Sequence, residues 1–498
     1  MLLQLLSTAI MCDSSHSCNY SEYCLQRIIF LAPRAARSHN HIKFYLVENL
    51  LAMNSDVKNS FSSFYPRHLS RLSEMAEKAM HAEHCDSILI HSGTPKLHFL
   101  DDYHSPFTAN PHFVWWLPVT QSPHCYVLIQ QGRKPVLFYH LADDFWHVPP
   151  QPPQGFWCDY FDIHYCANLT EVKQKLSQYR STSTHRAWIG EDTELAKELG
   201  INALNPDSLM HRLHYARAVK SQYEIACLTQ ANVLALAGHK AAEQAFMAGK
   251  SEFETQLAYL AAVQLDPAEM PYRNIIGFGS HSAVLHYQHY DYSPQNMQQP
   301  QSFLIDAGAP CNGYASDITR CHSRGSPFYQ NLIDAMTKAQ LSVCAMVKPG
   351  VNFADLHHQM HSLVLDLLLE FKLVQGSRDE LVARGISSVF FPHGLGHLLG
   401  IQVHDIGGWQ QDEVGTMVLP PKDHPFLRCT KVLEKDMVVT IEPGLYVIDS
   451  LLQKCRDNGF GHLLNNTAID QLRPLGGVRI EDNVVTAEQP LSLFNLGT

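Results

Sequence analysis

No stretch of the 498 residues carries the roughly eighteen consecutive apolar side chains that a membrane-crossing helix needs, so a membrane partner is not expected. Nor is there a block of basic residues. With a formal net charge of −11, the chain lacks the electrostatic footprint of a nucleic-acid binder. The thirteen cysteines contain no Cys-x-x-Cys pair. An odd number without framework spacing argues against a disulfide scaffold and points to reduced thiols, hence to a cytoplasmic protein. Short repeats and low-complexity tracts are also missing, which excludes a solenoid. Histidine, by contrast, is abundant at thirty residues, and position has to decide which of them do chemistry.

The length exceeds what one hydrophobic core usually supports, so two domains are expected. Met1 to Met11 is apolar but lacks the basic segment and small-residue cleavage site of a signal peptide. Residues 1–52 mix Ser, His, Cys and Arg without periodicity. They are expected to be an extension, disordered or outside a natural protein that starts at Met53. Over 53–212 the pattern alternates in the manner of an α/β domain. A helix runs from Arg67 to Cys85, followed by a buried strand at Ser87–Ile90. Strand-like runs follow at Phe113–Val119, His124–Gln130 and Pro135–Tyr139, then a Pro-rich loop at Val148–Pro153, a strand at Ala187–Ile189 and a helix at Glu194–Leu199. Over 213–498 the reading is α+β with antiparallel strands. Helices are expected at Ser221–Met247, Gln330–Met346 and Phe353–Phe371, and Ser251 with Glu254 matches a capping box that opens another.

Acidic residues inside β-rich runs carry the chemistry of the second domain. Asp306 ends the apolar run Ser302–Ile305, and Asp317 follows the turn Cys311-Asn312-Gly313-Tyr314. Asn-Gly is a strong hairpin signal, so the chain is expected to fold back and set the two carboxylates on adjacent strands. Such a pair repels, and one member would take up a proton unless a divalent cation intervenes. Glu442 follows Val438–Ile441, and Glu481 sits in Gly476–Asp482. A lone acid on a strand ordinarily faces solvent or an ion-pair partner. Four of them, each beside glycine or apolar residues, weaken that explanation.

The run Phe391-Pro392-His393-Gly394-Leu395-Gly396-His397, continuing to Gly400 and His404, adds three histidines within twelve residues. Its glycines come close to a dinucleotide-binding fingerprint, but the spacing is off by one and no βαβ unit surrounds it. Metal binding and proton transfer fit better. One histidine with four carboxylates is a hard, oxygen-rich donor set that favours manganese over zinc, and four negative charges balance two divalent ions. Paired metals suit hydrolysis.

In that order and with those flanking words, the acids and histidine resemble the pita-bread metallopeptidases. Within that family the chain from about Met53 onward looks like the bacterial prolidases. The resemblance implies an α+β fold: an antiparallel pita-bread catalytic domain flanked by helices over 213–498, preceded by a smaller α/β domain over 53–212. It also implies a cytoplasmic homodimer holding two divalent ions, Mn(II) first. The implied activity is cleavage of Xaa-Pro dipeptides by attack of a metal-bridging hydroxide on the bond before proline. By the same resemblance Asp306 is a terminal ligand, Asp317 and Glu481 bridge, His397 and Glu442 each bind one metal, and Glu442 also shuttles protons. His393 and His404 would hydrogen-bond substrate and stabilise the intermediate, and His286 would be a pocket histidine. Arg479 would support the metal acids, while Tyr272 and Val403 wall small pockets. Arg428 would meet the substrate carboxylate, and Asp102 would reach the partner subunit's site. Cys321 is expected to pack. Two alternatives remain at this point: an aminopeptidase P acting on longer Xaa-Pro peptides, which shares the ligands, and a peptide-binding protein without activity, which should have lost some of them.

Overall fold

The apolar runs of the N-terminal half become strands of one mixed sheet in the computed structural model, which describes residues 61–142, 145–146, 148, 151–179, 185–299 and 301–493. The expected extension over 1–52 and the start at Met53 lie outside the described residues. A helix over 61–82 precedes β1 (Ser87–His91), β2 (Tyr126–Gln130), β3 (Val136–His140), β4 (Asp162–Cys166), β5 (Arg186–Ile189) and β6 (Ala203–Leu204). Their order is β4-β3-β2-β1-β5-β6. β1 and β2 are buried along their whole length, which is why both read as continuous apolar runs without alternation. Val172, Leu176 and Ala196, from the helices Leu169–Leu176 and Thr193–Glu198, pack onto Leu89, Leu128 and Trp188 of this sheet.

One expected strand is a helix. Phe113–Val119 reads as β because aromatic and β-branched residues dominate it, yet Pro111–Trp116 is helical. The Asn110 side chain accepts from His112 N, proline occupies the first turn, and all of His112 to Trp116 is buried. A capped start and burial on every side outweigh a weak β preference.

The C-terminal half follows the expected helices closely. Capping boxes at Ser221/Glu224 and Ser251/Glu254 open the helices Gln222–Met247 and Glu252–Val263. Pro327–Cys344 starts three residues earlier than the pattern indicates because Ser326 caps it, accepting from Tyr329 N. It packs with Phe353–Glu370 around a core that includes Tyr329, Met336, Phe353, Met360 and Leu368. The strands are short: β7 (Ile275–Phe278), β8 (Gln301–Asp306), β9 (Pro310–Cys311), β10 (Tyr314–Ala315), β11 (Thr319–Arg324), β12 (Val438–Ile441), β13 (Gly444–Tyr446), β14 (Gly477–Arg479), β15 (Asp482–Val485) and β16 (Leu491–Ser492). They form the groups β11-β8-β7, β10-β9, β12-β15-β16 and β13-β14, with antiparallel pairing throughout. At the β9–β10 tip Asn312 and Gly313 both have positive φ, +52° and +86°, the twist-matched hairpin turn that the Asn-Gly pair demands.

The ten cysteines among the described residues are all free, and Cys321 is buried in the core. No helix among the described residues is long and apolar enough to cross a membrane.

Candidate metal centre and substrate site

Backbone pairing gathers the four acids. β11 runs antiparallel to β8 with Thr319 opposite Asp306, and Thr319 also bridges to Glu481. Asp317, two residues before β11, donates its amide to Asn483 Oδ1 at 3.1 Å. Glu442 follows β12, and its amide donates to Leu395 O at 2.8 Å, while Thr440 N donates to His397 O at 2.9 Å. The histidine-rich run is therefore laced edge-on to β12. That lacing needs Gly396: a Cβ there would lie 2.0 Å from the Thr440 carbonyl oxygen. Gly396→Ala should cost ~1–3 kcal/mol of stability, the scale of overpacking against a backbone that cannot yield. Urea denaturation checks it, and an unchanged midpoint would show that the two segments separate freely.

Asp317, His397 and Glu481 each offer an atom within 4.8 Å of the others. His397 Nε2 lies 3.4 Å from Asp317 Oδ2 and 3.7 Å from Glu442 Oε1. The other ring nitrogen, Nδ1–H, donates to the Leu398 carbonyl at 3.0 Å, so the Nε2 lone pair points at the carboxylates. A backbone partner on the far nitrogen is how metal-binding histidines are oriented. Arg479, 4% exposed, pairs with Asp306 Oδ2 at 2.5 Å and donates to Thr319 Oγ1, whose own hydroxyl donates to Glu481 Oε2 at 2.7 Å.

Electrostatics tests whether a cation suits this set. Burial pushes the Asp306 carboxyl up to about 6, with Arg479 opposing and Asp317 adding to the rise. Burial raises Glu442 to about 7 and Glu481 well above the carboxylate range, with neighbouring acids contributing. Burial pushes Asp317 up as well, but the hydrogen bond and charge of His397, with Tyr272 and His404, together hold that carboxyl below its usual range. Three acids pushed toward protonation in one dry site is the penalty that divalent cations relieve, so the donor set fits a metal pair.

Around this centre the other candidates fall into two groups. Tyr272, expected only as a pocket wall, sets its hydroxyl 2.8 Å from Asp306 Oδ1 and 2.6 Å from Asp317 Oδ1, with one proton for two acceptors. His393 is engaged on both ring nitrogens. Nδ1–H donates to the Gly394 carbonyl and Nε2 accepts from Tyr446 OH, each at 2.8 Å, and the Tyr446 oxygen in turn accepts from Arg479. Burial, with Arg479 and His286 nearby, lowers His393 to about 3. His404 is exposed and sets its ring edge-on to His397 at 4.5 Å; burial, His397 and Arg428 lower it to about 4. His286 and Arg428 are exposed and belong to the same electrostatic neighbourhood as His404.

Val403 and His404 line a cleft of about 1050 Å³ that also involves Phe107, His112, Asn312 and Gly313; none of the four acids lines it. The next residue, Asp405, is buried and accepts from Arg217 at 2.6 Å and Lys220 at 2.9 Å, which ties this loop to the end of the helix Asp207–Ala218. Asp102 is exposed, on a turn whose tip shows Phe99 and Leu100 about 90% exposed. No contact within the chain brings Asp102 to the acids among the described residues.

Tyr446, Thr319 and Asp405 carry evident positioning roles that the sequence reading left out. Tyr446, four residues after Glu442, could have been flagged by proximity; nothing in the sequence marks the other two.

Residues 63–215 match the family model described as Xaa-Pro dipeptidase, N-terminal domain, and residues 226–488 match metallopeptidase family M24. The Xaa-Pro dipeptidase of Shewanella oneidensis is 45% identical over 422 residues, 85% of this chain and 95% of that protein. The one from Pseudoalteromonas haloplanktis is 44% identical over 428 residues, 86% and 96% of the two chains. Among solved structures, aminopeptidase P from E. coli with the inhibitor Pro-Leu superposes with a TM-score of 0.66 at 21% identity, covering 88% of this chain and 95% of that one. Proline aminopeptidase P II from Yersinia pestis gives 0.65 at 20%, covering 88% and 97%. At such identity the likeness shows the fold alone, and that fold is the expected α+β pita-bread arrangement behind an N-terminal domain.

Proposed function

Because the chain belongs to metallopeptidase family M24, we propose that it is a metal-dependent Xaa-Pro dipeptidase hydrolysing the bond before proline. The observation that carries this reading is the convergence of Asp317, His397 and Glu481 within 4.8 Å, with Glu442 and Asp306 beside them. Asp306, Asp317, His397, Glu442 and Glu481 would hold two divalent ions. Their preponderance of carboxylate oxygen favours manganese. When bound, such a pair supplies a water acidic enough to attack at neutral pH and polarises the scissile carbonyl.

The protein's own groups do the rest. Glu442 faces His397 with one oxygen and, at 3.8 Å, His393 Nδ1 with the other, a position from which it can carry a proton to the departing imino nitrogen. His404, whose ring hydrogen-bonds to none of the described residues, is free to meet the substrate. His393 reaches it by exchanging its Gly394 partner. Arg479 and Thr319 hold the acids in register, and Val403 and His286 border the substrate's path. A binding protein without activity is not favoured, since no donor of the set is missing.

The alternative of longer substrates turns on Arg428. A dipeptide ends in a carboxylate at proline, where a tripeptide has a neutral amide, and a guanidinium recognises the former with paired charge-assisted hydrogen bonds. Arg428 is exposed rather than buried, so screening reduces what that contact is worth. Arg428→Ala should lower kcat/KM for Ala-Pro by ~1–2 kcal/mol, roughly 5–30-fold, while the slow rate on Ala-Pro-Ala stays level or rises and metal content holds. An unchanged ratio of the two rates would move the carboxylate clamp elsewhere and leave the case against an aminopeptidase P to overall resemblance alone.

The reading extends to a cytoplasmic homodimer. Phe99 and Leu100, exposed beside Asp102, are surface that a second copy would cover, which supports Asp102 entering the partner subunit's site.

A further inference from the structure

One helix carries histidines that the proposed reaction does not use. His357 and His361 stand four residues apart on Phe353–Glu370 and therefore share a face. His424, in the turn after Pro420-Pro421, closes on them: its ring centroid lies 4.4 Å from each, and theirs are 4.5 Å apart. One ring nitrogen from each of the three lies within 4.8 Å of the others. His357 is 1% exposed, and neither of its ring nitrogens has a hydrogen-bond partner among the described residues. His361 is 7% exposed; its Nδ1 shares a hydrogen bond with Ser387 Oγ at 2.9 Å, and Nε2 is left unpaired among the described residues. Buried polar atoms are rarely left orphaned, and here they face one another. The Ser387 bond holds the His361 ring in orientation, as an outer-sphere partner does at a metal. Burial and the mutual approach of the rings lower His357 to about 2 and His361 to about 3, so both lone pairs are available at neutral pH.

We propose that His357, His361 and His424 form a second metal site, distinct from the four-acid centre, for a borderline cation that prefers nitrogen, with zinc the first choice. Three imidazoles with a fourth position open is a tetrahedral zinc set, whereas the acid centre offers mostly oxygen. The Phe391 ring stands between this cluster and His393, 4.8 Å from His361 and 4.9 Å from His393. A cation here clamps the helix to the turn that leads to Arg428, where Leu427 N donates to His424 O at 3.1 Å.

The test is cobalt uptake by the manganese-loaded full-length protein, with cobalt and manganese counted per chain after desalting and the visible spectrum recorded. Wild type should take up one equivalent of cobalt, give the intense bands of tetrahedral nitrogen ligation and keep its manganese. His424→Ala, altered on a partly exposed turn, should lose that equivalent and those bands with an unchanged circular dichroism spectrum; His361→Gln should do the same. His358→Ala should behave as wild type. No uptake by wild type, uptake matched by loss of manganese, or full uptake by His424→Ala would each overturn the site.

Discussion

Asp317→Asn is expected to abolish peptide hydrolysis while the protein stays folded. Asp317 is 6% exposed, faces His397 Nε2 at 3.4 Å, and lies within reach of the Tyr272 hydroxyl. An amide of the same shape keeps the packing and can still pair with Tyr272, so the circular dichroism spectrum and denaturation midpoint should stay close to wild type. What it removes is one of the negative charges that balance two cations, at the position proposed to bridge them. An amide oxygen is a poor bridging ligand, and its NH₂ group cannot serve as one. The loss should be at least ~4 kcal/mol of transition-state stabilisation, about a thousandfold in kcat/KM. Bound metal should fall below two per chain. Retained hydrolysis with two metals bound would sink the bridging assignment and leave Glu481 as the sole candidate for it.

Two histidines four residues apart should separate in a paired experiment. His397→Ala should lower metal content and activity together, because the Nε2 lone pair is aimed at the carboxylates and the Nδ1–H is anchored on Leu398. His393→Ala should leave metal content near wild type and lower kcat by ~10²–10³, about 3–4 kcal/mol, the scale of removing one donor from a preorganised site. The structure supports that split: His393 contacts Gly394 and Tyr446 and approaches Glu442 only at 3.8 Å. Metal analysis beside steady-state kinetics reads both effects. Equal metal loss in the two variants would mean that the ligand has been assigned to the wrong ring.

Much of this candidate site is legible in the sequence because its proposed donors travel in short chain segments with local signatures. Asn312-Gly313 permits few turns, so Asp306 and Asp317 were bound to meet across a hairpin. The glycines of the 394–400 run permit close backbone approach, and Gly396 against Thr440 is such an approach. The helices were legible for the same reason, since Ser221/Glu224 and Ser251/Glu254 state their starting points locally. The segment 113–119 was misread because composition there favours a strand, while the deciding contacts, the Asn110 cap and burial on all sides, depend on what surrounds it.

The sequence by itself determined the acids and histidines proposed as donors, the hairpin and the oxygen-rich character of that proposed set, because each depends on residue type and on neighbours a few positions away. Only the tertiary structure decided which long-range partners orient those donors. Arg479 reaches Asp306 across 173 positions, Arg217 and Lys220 grip Asp405 across nearly 190, and Tyr446 occupies His393 Nε2, which leaves Nδ1 as the nitrogen that can turn to a substrate. It also brought His424 onto the face of a helix some sixty residues earlier in the chain. Contacts between segments so far apart follow from packing of the whole chain, and no local periodicity or turn chemistry encodes them.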